Sequence, residues 1–386
     1  MTVGIDFRMG GSVNAGIGRY IFELLKAMLE LDTENRFVVF YNKNNVASQD
    51  LDTLSRHENV ELVATTIRHY SWQEQVLFPR VLKKYPVDLM HFPNFNVPVW
   101  YTGPYVVTIH DMVHHKISGH KKSHYLHFQG YKYIMWKAIQ RAAAIITPSE
   151  AARTEIAHFF PMSNSLTSVI NEGISLEPVT NESVEKVKKQ FLLSKPYFLF
   201  VGTLERKKNT NTLALGFDQF IERHGLDMDL VFAGKADVHY PEAKANILQI
   251  KHASRVVCTG FIDDATLAAL FQGAYAFVSA SLNEGFGLPG VEAMQFGLPI
   301  LVSNIPVFNE IYDSAAIYFN GESVDDIAEK MYLVARDKQF YDQLRQKSLT
   351  RGTAFTWERA ARETLEVYRR VLTTSTVPDI DVIAED

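Results

Sequence analysis

The sequence predicts an α/β protein with two doubly wound domains of similar size. At 386 residues the chain is too long for one ordinary domain. Short β-branched segments alternate with helical patterns, which is typical of parallel sheets covered by helices on both faces. A polar segment over residues 173–196 interrupts this alternation once. We therefore predict Rossmann-like domains over residues 1–172 and 197–356, joined by a linker and facing a central cleft in which ligands bind at strand carboxyl ends.

The first domain opens with an apolar strand over residues 3–7 and a glycine-rich turn over residues 10–18. The following segment has apolar residues at i, i+3, i+4 and i+7, which predicts a helix buried along one face. That stripe comprises Ile17, Tyr20, Ile21, Leu24, Leu25, Met28 and Leu29. Further strands are predicted over residues 37–41, 60–64, 88–92, 105–109 and 144–147.

The second domain repeats the pattern, with strands predicted over residues 197–201, 230–233, 256–259, 276–279 and 299–302. A helix over residues 357–372 has good apolar periodicity and is predicted to cross back to the first domain. Residues 373–386 are acidic, have little to bury and are predicted to be a mobile tail.

Composition excludes several classes of protein. With 47% hydrophobic and 22% charged residues the chain is not disordered, and no apolar run approaches the ~20 residues of a transmembrane helix. The first residues lack a secretory signal pattern, so we expect a cytoplasmic protein. The single cysteine, Cys258, excludes an intramolecular disulfide and a cysteine-built metal site. The net charge of −5 argues against nucleic acid as a partner.

One region departs from this balance, because no acidic residue lies between Asp111 and Glu150. The region interleaves cations with aromatic rings: Lys116, Lys121, Lys122, Lys132, Lys137 and Arg141 with Tyr125, Phe128, Tyr131, Tyr133 and Trp136. Two interpretations stay open. Residues 112–149 could bind an anionic membrane surface, or residues 125–141 could form a core helix whose aromatic rings face inward and whose cations are solvated.

The segment over residues 279–293, SASLNEGFGLPGVEA, is the most informative one. A strand ends, a glycine-rich loop turns, and Pro289 marks a helix start. The N–H groups of Phe286, Gly287, Leu288 and Gly290 would then be free at the helix head, where the dipole favours an anion such as a diphosphate. In the first helical turn, Glu292 could accept hydrogen bonds from ribose hydroxyls or simply complement the dipole.

The order Glu-Gly-Phe-Gly-Leu-Pro, with a second glutamate eight positions after the first, resembles the signature of the family-four retaining glycosyltransferases of the GT-B fold. The resemblance implies that Glu284 and the amides after it hold the donor sugar and diphosphate, and that Glu292 binds the ribose. The implied donor-contacting loop is Glu284, Gly285, Phe286, Gly287 and Leu288.

Other segments follow the family's order along nearly the whole chain. The loop VGTLERKKN over residues 201–209 resembles the one that places two cations on the donor pyrophosphate, and Lys208 matches the family lysine. Thr203 stands where an arginine often lies, so the second cation is either Arg206 or Lys207. Cations are needed there because leaving-group charge develops as the glycosidic bond breaks.

In the first domain, Gly16 and Gly18 of the GIGRY segment resemble the family's glycine loop facing the donor phosphate, although a plain tight turn also explains each glycine. His110 ends a strand where the family often has His-Asp, near the transferred sugar. The Glu172-Gly173 pair resembles the family's hinge.

The nucleotide is expected at two loops of the second domain. The base would lie at residues 259–262, which include Phe261. The segment over residues 303–306, followed by Asn309 and Glu310, resembles the loop that borders the nucleotide in relatives.

The resemblance implies retaining transfer of a hexose from a nucleotide-diphosphate sugar to a hydroxyl of a glycan or lipid-linked glycan. A donor phosphate oxygen is usually assigned as the base in such enzymes, so we nominate no protein nucleophile. The Gly-Thr-Leu-Glu and His-Phe-Pro-Asn segments are most similar to bacterial mannosyltransferases of polysaccharide assembly. GDP-mannose is the first candidate donor, ahead of UDP-glucose and dTDP-rhamnose. Alternatives are a nucleotide-sugar 2-epimerase and a non-catalytic sugar-binding protein.

No metal cofactor is predicted. Asp227 and Asp229 form an Asp-x-Asp of the kind that holds manganese in the other glycosyltransferase fold, but they immediately precede a strand and are better explained as its polar start. The spacing of His114, His115 and His120 matches no helical or strand ligand pair.

Overall fold

The structure is a computed structural model that describes residues 1–11, 16–112, 125–237, 240 and 242–375. The chain divides into two compact units. One contains Met1–Gly173 together with the chain from Trp357 onward, and the other is Ile174–Thr356. Each unit is built on one parallel sheet, so the prediction of two α/β domains is confirmed.

Among the described residues, the sheet of the first unit has seven strands and that of the second unit has six. The first sheet is parallel, in the order β3-β2-β1-β4-β5-β6-β7. These strands are β1 (Thr2–Asp6), β2 (Arg36–Asn42), β3 (Val60–Thr65), β4 (Leu89–Phe92), β5 (Tyr105–Thr108), β6 (Ala144–Thr147) and β7 (Thr167–Val169). The second unit has six in the order β10-β9-β8-β11-β12-β13. They are β8 (Tyr197–Val201), β9 (Asp229–Ala233), β10 (Val256–Gly260), β11 (Ala276–Ser279), β12 (Ile300–Ser303) and β13 (Ala316–Phe319).

Helices accompany both sheets. In the first unit they are α1 (Ile17–Leu31), α2 (Ser48–Leu54), α3 (Trp72–Val76), α4 (Phe78–Leu82), α5 (Tyr125–Arg141), α6 (Glu150–Phe159) and, at the end of the chain, α15 (Trp357–Ser375). In the second unit they are α7 (Asn181–Gln190), α8 (Thr210–His224), α9 (Glu242–Ile247), α10 (Asp264–Gly273), α11 (Leu288–Gln295), α12 (Pro306–Tyr312), α13 (Val324–Arg336) and α14 (Lys338–Gly352).

The predicted apolar stripe of α1 is buried apart from Ile17, which is half-buried. It packs in one hydrophobic cluster with β1 and with Trp357, Leu365 and Tyr368 of α15. Helix α15 therefore completes the core of the first unit.

The predicted linker over residues 173–196 instead belongs mostly to the second unit and contains helix α7. The Thr180 hydroxyl caps this helix by accepting from the Ser183 N–H at 3.2 Å. Val184 and Val187 are its buried residues. The sequence hid this helix because two apolar residues on a charged segment make a weak periodic pattern.

The chain end also differs from the prediction. Helix α15 continues through Ser375, three residues into the predicted mobile tail, and residues 376–386 lie outside the described part of the chain. Among the described helices, none is long and apolar enough to cross a membrane.

Candidate active site

The glycine-rich loop of the second unit connects β11 to helix α11, as the motif predicts. Gly287 precedes the helix with φ 96°, a conformation that favours glycine. The Tyr312 hydroxyl donates to the Gly287 carbonyl at 2.6 Å. A Cβ atom would lie 2.4 Å from the Tyr312 hydroxyl oxygen if placed on Gly287, and 2.2 Å if placed on Gly290. Both glycines are thus required for close packing against Tyr312.

The head of α11 offers fewer free amides than predicted. The Gly290 N–H donates to the Gly287 carbonyl at 3.0 Å, and Pro289 has no N–H. The prediction was therefore wrong for Gly290, because the first turn closes on itself. The amides of Phe286, Gly287 and Leu288 remain the candidate donors to an anion.

Glu284 and Lys208 form an ion pair with 2.5 Å between Oε1 and Nζ. Both side chains are largely buried, with 12% and 14% of their areas exposed. They follow β11 and β8, which are neighbours in the sheet, so the parallel topology brings the two strand ends together. The Leu282 N–H donates to the Lys207 carbonyl at 2.8 Å, which ties the two loops to each other.

Three buried serines support this pair, and motif matching did not identify their role. The Ser281 hydroxyl donates to Glu284 Oε1 at 2.8 Å and lies 3.0 Å from the Ser279 hydroxyl. The Ser303 hydroxyl donates to the Ser281 carbonyl at 2.5 Å. Ser303 was expected to border the nucleotide, but it is 2% exposed and supports the loop instead. The sequence signal that could have identified these residues is the serine at the end of each of the buried strands β11 and β12.

The basic loop contains the two candidates for the second cation. Arg206 is exposed, whereas Lys207 lies 3.7 Å from Glu205 and is half-buried. Thr203 begins the same loop, and its carbonyl accepts from the Glu205 N–H at 2.9 Å. The geometry of Lys208 is fixed by Glu284, while Arg206 is solvated.

Glu292 occupies the fifth position of α11 rather than its first turn, because the helix begins at Leu288. It is 2% exposed. A residue that only complements a helix dipole usually lies in the first turn and in solvent. Its position and burial therefore speak against the dipole interpretation. Phe261, which directly follows β10, is 64% exposed.

In the first unit, Gly16 caps α1 with φ 48° and a Cβ there would meet no atom within 4 Å. Gly18 is buried, and its carbonyl accepts from the Gly11 N–H at 3.0 Å. The glycine turn is thus closed at its base. Residues 12–15 of the turn lie outside the described part of the chain.

His110 follows β5 and contacts two acceptors. Its Nδ1 lies 3.4 Å from a carboxylate oxygen of Glu172, and its Nε2 lies 3.1 Å from the Pro93 carbonyl. Two facing acceptors favour a ring that is protonated on both nitrogens. Burial lowers the pKa of His110, but hydrogen bonding and charge from Glu172, with the Pro93 carbonyl, outweigh it and raise that pKa above its ordinary value. The residue predicted to donate to a sugar hydroxyl thus has both ring nitrogens directed at protein acceptors.

Below His110 lies a buried polar chain. His91 Nε2 is 2.8 Å from the Thr108 hydroxyl, and its Nδ1 is 2.6 Å from the Tyr368 hydroxyl of α15. Tyr20 joins this chain through Thr108 at 3.2 Å and packs edge-on against His110. Burial, with the charge of His110, lowers the pKa of His91 to about 3. His91 is therefore a neutral structural residue.

The acid-free region forms helix α5 over part of its length. Its inner face buries Met135, Ala138 and Ile139, as the core-helix interpretation requires. Tyr133 and Trp136, however, are 51% and 40% exposed. The helix is thus a core helix with an aromatic outer face. Lys116, Lys121 and Lys122, like His114, His115 and His120, lie outside the described residues.

The discounted Asp-x-Asp is engaged with cations. Asp227 accepts from Lys195 at 2.8 Å and from Arg255, and Asp229 begins β9 with Arg255 at 3.6 Å. Within the described ranges no group of three or more His, Cys, Asp or Glu side chains is arranged to hold a metal ion.

Comparison with known proteins gives two family matches in succession: Glycosyltransferase Family 4 over residues 14–178 and Glycosyl transferases group 1 over residues 182–351. The chain is 28% identical over 249 residues to the serotype-specific mannosyltransferase WbdA of Escherichia coli, a match covering 62% of this chain and only 30% of WbdA. It is 25% identical over 377 residues to the O-antigen chain mannosyltransferase B of Escherichia coli, covering 92% of this chain and 96% of that protein.

Solved structures share the fold at low sequence identity. Sucrose-phosphate synthase from Thermosynechococcus elongatus superposes with a TM-score of 0.76 at 17% identity, covering 97% of this chain and 99% of that one. HepE from Anabaena, in complex with UDP and glucose, gives 0.76 at 16% identity, covering 96% of this chain and 100% of that one. The expected fold and the expected similarity to bacterial mannosyltransferases of polysaccharide assembly are confirmed. The chain belongs to the glycosyltransferases of the GT-B fold, with a family 4 first domain and a group 1 second domain.

Proposed function

We propose that this glycosyltransferase moves a hexose, with mannose as the first candidate, from a nucleotide-diphosphate sugar to a hydroxyl of a glycan or lipid-linked glycan. The observation that carries the proposal is the Lys208–Glu284 pair beside the head of α11. The ammonium group and the helix amides suit a diphosphate leaving group, and the carboxylate suits the hydroxyls of the transferred sugar. The exposed Phe261 ring is the candidate contact for the base.

The choice of mannose rests on the relatives. WbdA and the O-antigen chain mannosyltransferase B are both named for mannose transfer. GDP-mannose is therefore the first donor to test, followed by UDP-glucose and dTDP-rhamnose. The UDP and glucose in the HepE complex are a reason to keep UDP-glucose in the panel.

We further propose that transfer retains the anomeric configuration and needs no divalent metal. A donor phosphate oxygen would take the acceptor's proton, as the family resemblance implies. Lys208, with Arg206 or Lys207, would neutralise the charge that develops on the diphosphate. Of these two, Arg206 is the better placed, because it is solvated while Lys207 lies beside Glu205.

The test is nucleotide release from the three donors, with and without EDTA. Lys208→Ala and Glu284→Ala should each lower turnover about 10²–10³-fold, because each removes a group that contacts the reacting part of the donor. Lys251→Ala is the matched control, since its lysine is paired with Glu222 on the surface of the same unit and lies 65% exposed.

Three outcomes would contradict the proposal. Near-wild-type turnover by Lys208→Ala would remove the donor site. Loss of activity in EDTA, restored by manganese, would overturn the metal-independent mechanism. Conversion of the donor into its 2-epimer without any acceptor would favour the epimerase.

We also propose that the enzyme binds peripherally to an anionic membrane from the cytoplasmic side, where a lipid-linked acceptor would lie. The support is the outer face of α5, where Tyr133 and Trp136 are exposed and Lys137 Nζ lies 5.5 Å from the Trp136 ring centroid. Such rings and cations suit the headgroup layer. Co-sedimentation with anionic vesicles should be weakened by changing both Tyr133 and Trp136 to Ala. Equal binding of variant and wild type would leave α5 as an ordinary core helix.

A further inference from the structure

Tyr70 has an unusual backbone for a bulky residue. Its φ is 55°, in the left-handed region that side chains with a Cβ rarely adopt. The Tyr70 N–H donates to Glu74 Oε2 at 2.9 Å, which holds this conformation. The residue lies in the segment between β3 and α3.

Glu74 is itself anchored by buried charges. It is 1% exposed and accepts from Arg8 Nη2 at 2.6 Å and from Asn96 Nδ2 at 2.8 Å. Arg8 also donates to both carboxylate oxygens of Asp6, at 2.8 Å and 2.6 Å. Burial raises the pKa of Glu74 to about 7 although Arg8 lowers it. Such a buried network holds its members in one arrangement, because moving one partner away would leave an uncompensated buried charge.

The network of Arg8 and Glu74 fixes the position of one exposed ring, that of Tyr70. The Tyr70 hydroxyl accepts from Asn94 Nδ2 at 2.8 Å, and the Tyr70 ring centroid lies 5.8 Å from that of Phe95. Phe95 in turn packs edge-on against Tyr131 at 5.0 Å. Tyr70 nonetheless has 57% of its surface exposed. A supported, anchored and open aromatic ring thus lies where the loops after β1 and β4 meet.

We propose that Tyr70 is the stacking platform for a pyranose ring of the acceptor glycan. One face of a pyranose presents C–H groups, which pack on the electron-rich face of an aromatic ring. The inference rests on the proposed function, because it names the substrate ring that the first unit recognises.

The test compares acceptor recognition with donor use. Transfer from the donor with the highest nucleotide release is measured to a panel of octyl pyranosides of mannose, glucose, galactose and N-acetylglucosamine. Tyr70→Ala and Tyr70→Leu should raise the KM for the best acceptor about tenfold or more, and Tyr70→Phe, which keeps the ring, should stay within about threefold. Trp72→Ala is the control, since its ring is 70% exposed two residues away.

Donor hydrolysis in the absence of acceptor separates the two proposals. It should be unchanged in all Tyr70 variants, which also shows that they are folded. An unchanged acceptor KM in Tyr70→Ala or Tyr70→Leu, with normal donor hydrolysis, would overturn the platform and leave the proposed function intact. Transfer to none of the four pyranosides would also overturn it. Failure of the wild type to use any donor would overturn the proposed function itself.

Discussion

Ser281 shows how a single hydroxyl can orient a reacting group. It is fully buried, and its hydroxyl donates to the Glu284 oxygen that also contacts Lys208. A carboxylate held by two donors is fixed in direction before a ligand arrives, which is the arrangement that electrostatic stabilisation needs. The Glu-Gly-Phe-Gly-Leu-Pro motif that identifies Glu284 does not include Ser281 or Ser303. The sequence therefore predicted the carboxylate but not the hydroxyl groups that orient it.

Replacing Ser281 by Ala should lower kcat roughly 10–100-fold, because a hydrogen bond to a charged group contributes about 1.5–3 kcal/mol. The measurement is steady-state transfer together with urea unfolding. Ser348→Ala is the control, since Ser348 is equally buried in the same unit and donates only to the Leu298 carbonyl at 2.7 Å. Equal effects of the two changes on kcat would make Ser281 a merely structural residue.

The charge of His110 gives a prediction on pH dependence. Because its folded pKa lies above the ordinary 6.5, its contribution to stability is fully present below pH 6.5 and is lost as pH rises through the folded pKa. Glu172→Gln removes the main cause and should bring the pKa of His110 down, as an NMR titration of the ring would show. The difference in unfolding free energy between wild type and variant should shrink with rising pH. A constant difference would mean that His110 is neutral in the folded protein.

At the scale of elements, helix α11 begins where Tyr312 requires two glycines. The side chain of Tyr312 is completely buried, and its hydroxyl holds the carbonyl just before the helix. These glycines were predicted as turn residues, and the structure has the turn between β11 and α11. Their packing partner comes from α12, about 25 residues on, so no local pattern could have named it.

Gly290→Ala should destabilise the protein by about 1–3 kcal/mol, the usual range for an overpacked site, because the added Cβ would overlap Tyr312. Donor turnover should fall as well, since the helix head must shift. The control is Gly130→Ala on the exposed side of α5, where a Cβ meets no atom within 4 Å. That change should stabilise by about 0.5–1 kcal/mol. Unfolding curves in urea distinguish the two results, and a neutral Gly290→Ala would refute the packing argument.

The central strands were predicted to within one or two residues because buried parallel strands appear in sequence as continuous apolar runs. Two edge strands, β7 and β13, were missed. Each is only three or four residues long and has half-buried positions, so neither makes such a run. Helix α7 was missed for a related reason, because only Val184 and Val187 are buried and two apolar residues make a weak periodic pattern. The strand ends located the candidate site, whereas the contacts of Glu172 with His110, of Ser303 with Ser281 and of Tyr70 with Asn94 join distant segments.

At the scale of the whole molecule, the first unit is made from both ends of the chain. Helix α15 contacts the rest of this unit through the Tyr368 hydroxyl, which lies 2.6 Å from Nδ1 of His91. Both residues are essentially inaccessible to solvent. The neutral histidine therefore depends on this hydroxyl to satisfy its Nδ1.

Tyr368→Phe should reduce the free energy of unfolding by about 1–3 kcal/mol, the cost of leaving a buried polar atom without a partner. Urea denaturation measures it. Tyr133→Phe on the exposed face of α5 is the control and should change stability by less than about 0.5 kcal/mol. Donor hydrolysis at saturating donor should be unaffected in both variants. An unchanged midpoint for Tyr368→Phe would show that His91 finds another partner.

The split composition of the first unit has a consequence for biosynthesis. A ribosome releases the first 173 residues long before Trp357, and the whole second unit emerges in between. Until α15 leaves the exit tunnel, the apolar surface that α1 and β1 share with it has no cover. A nascent chain thus exposes this apolar surface until α15 has been made. Premature termination before α15 leaves the surface accessible to chaperones and proteases. Newly made protein should accordingly be most vulnerable to proteolysis in the interval before α15 emerges.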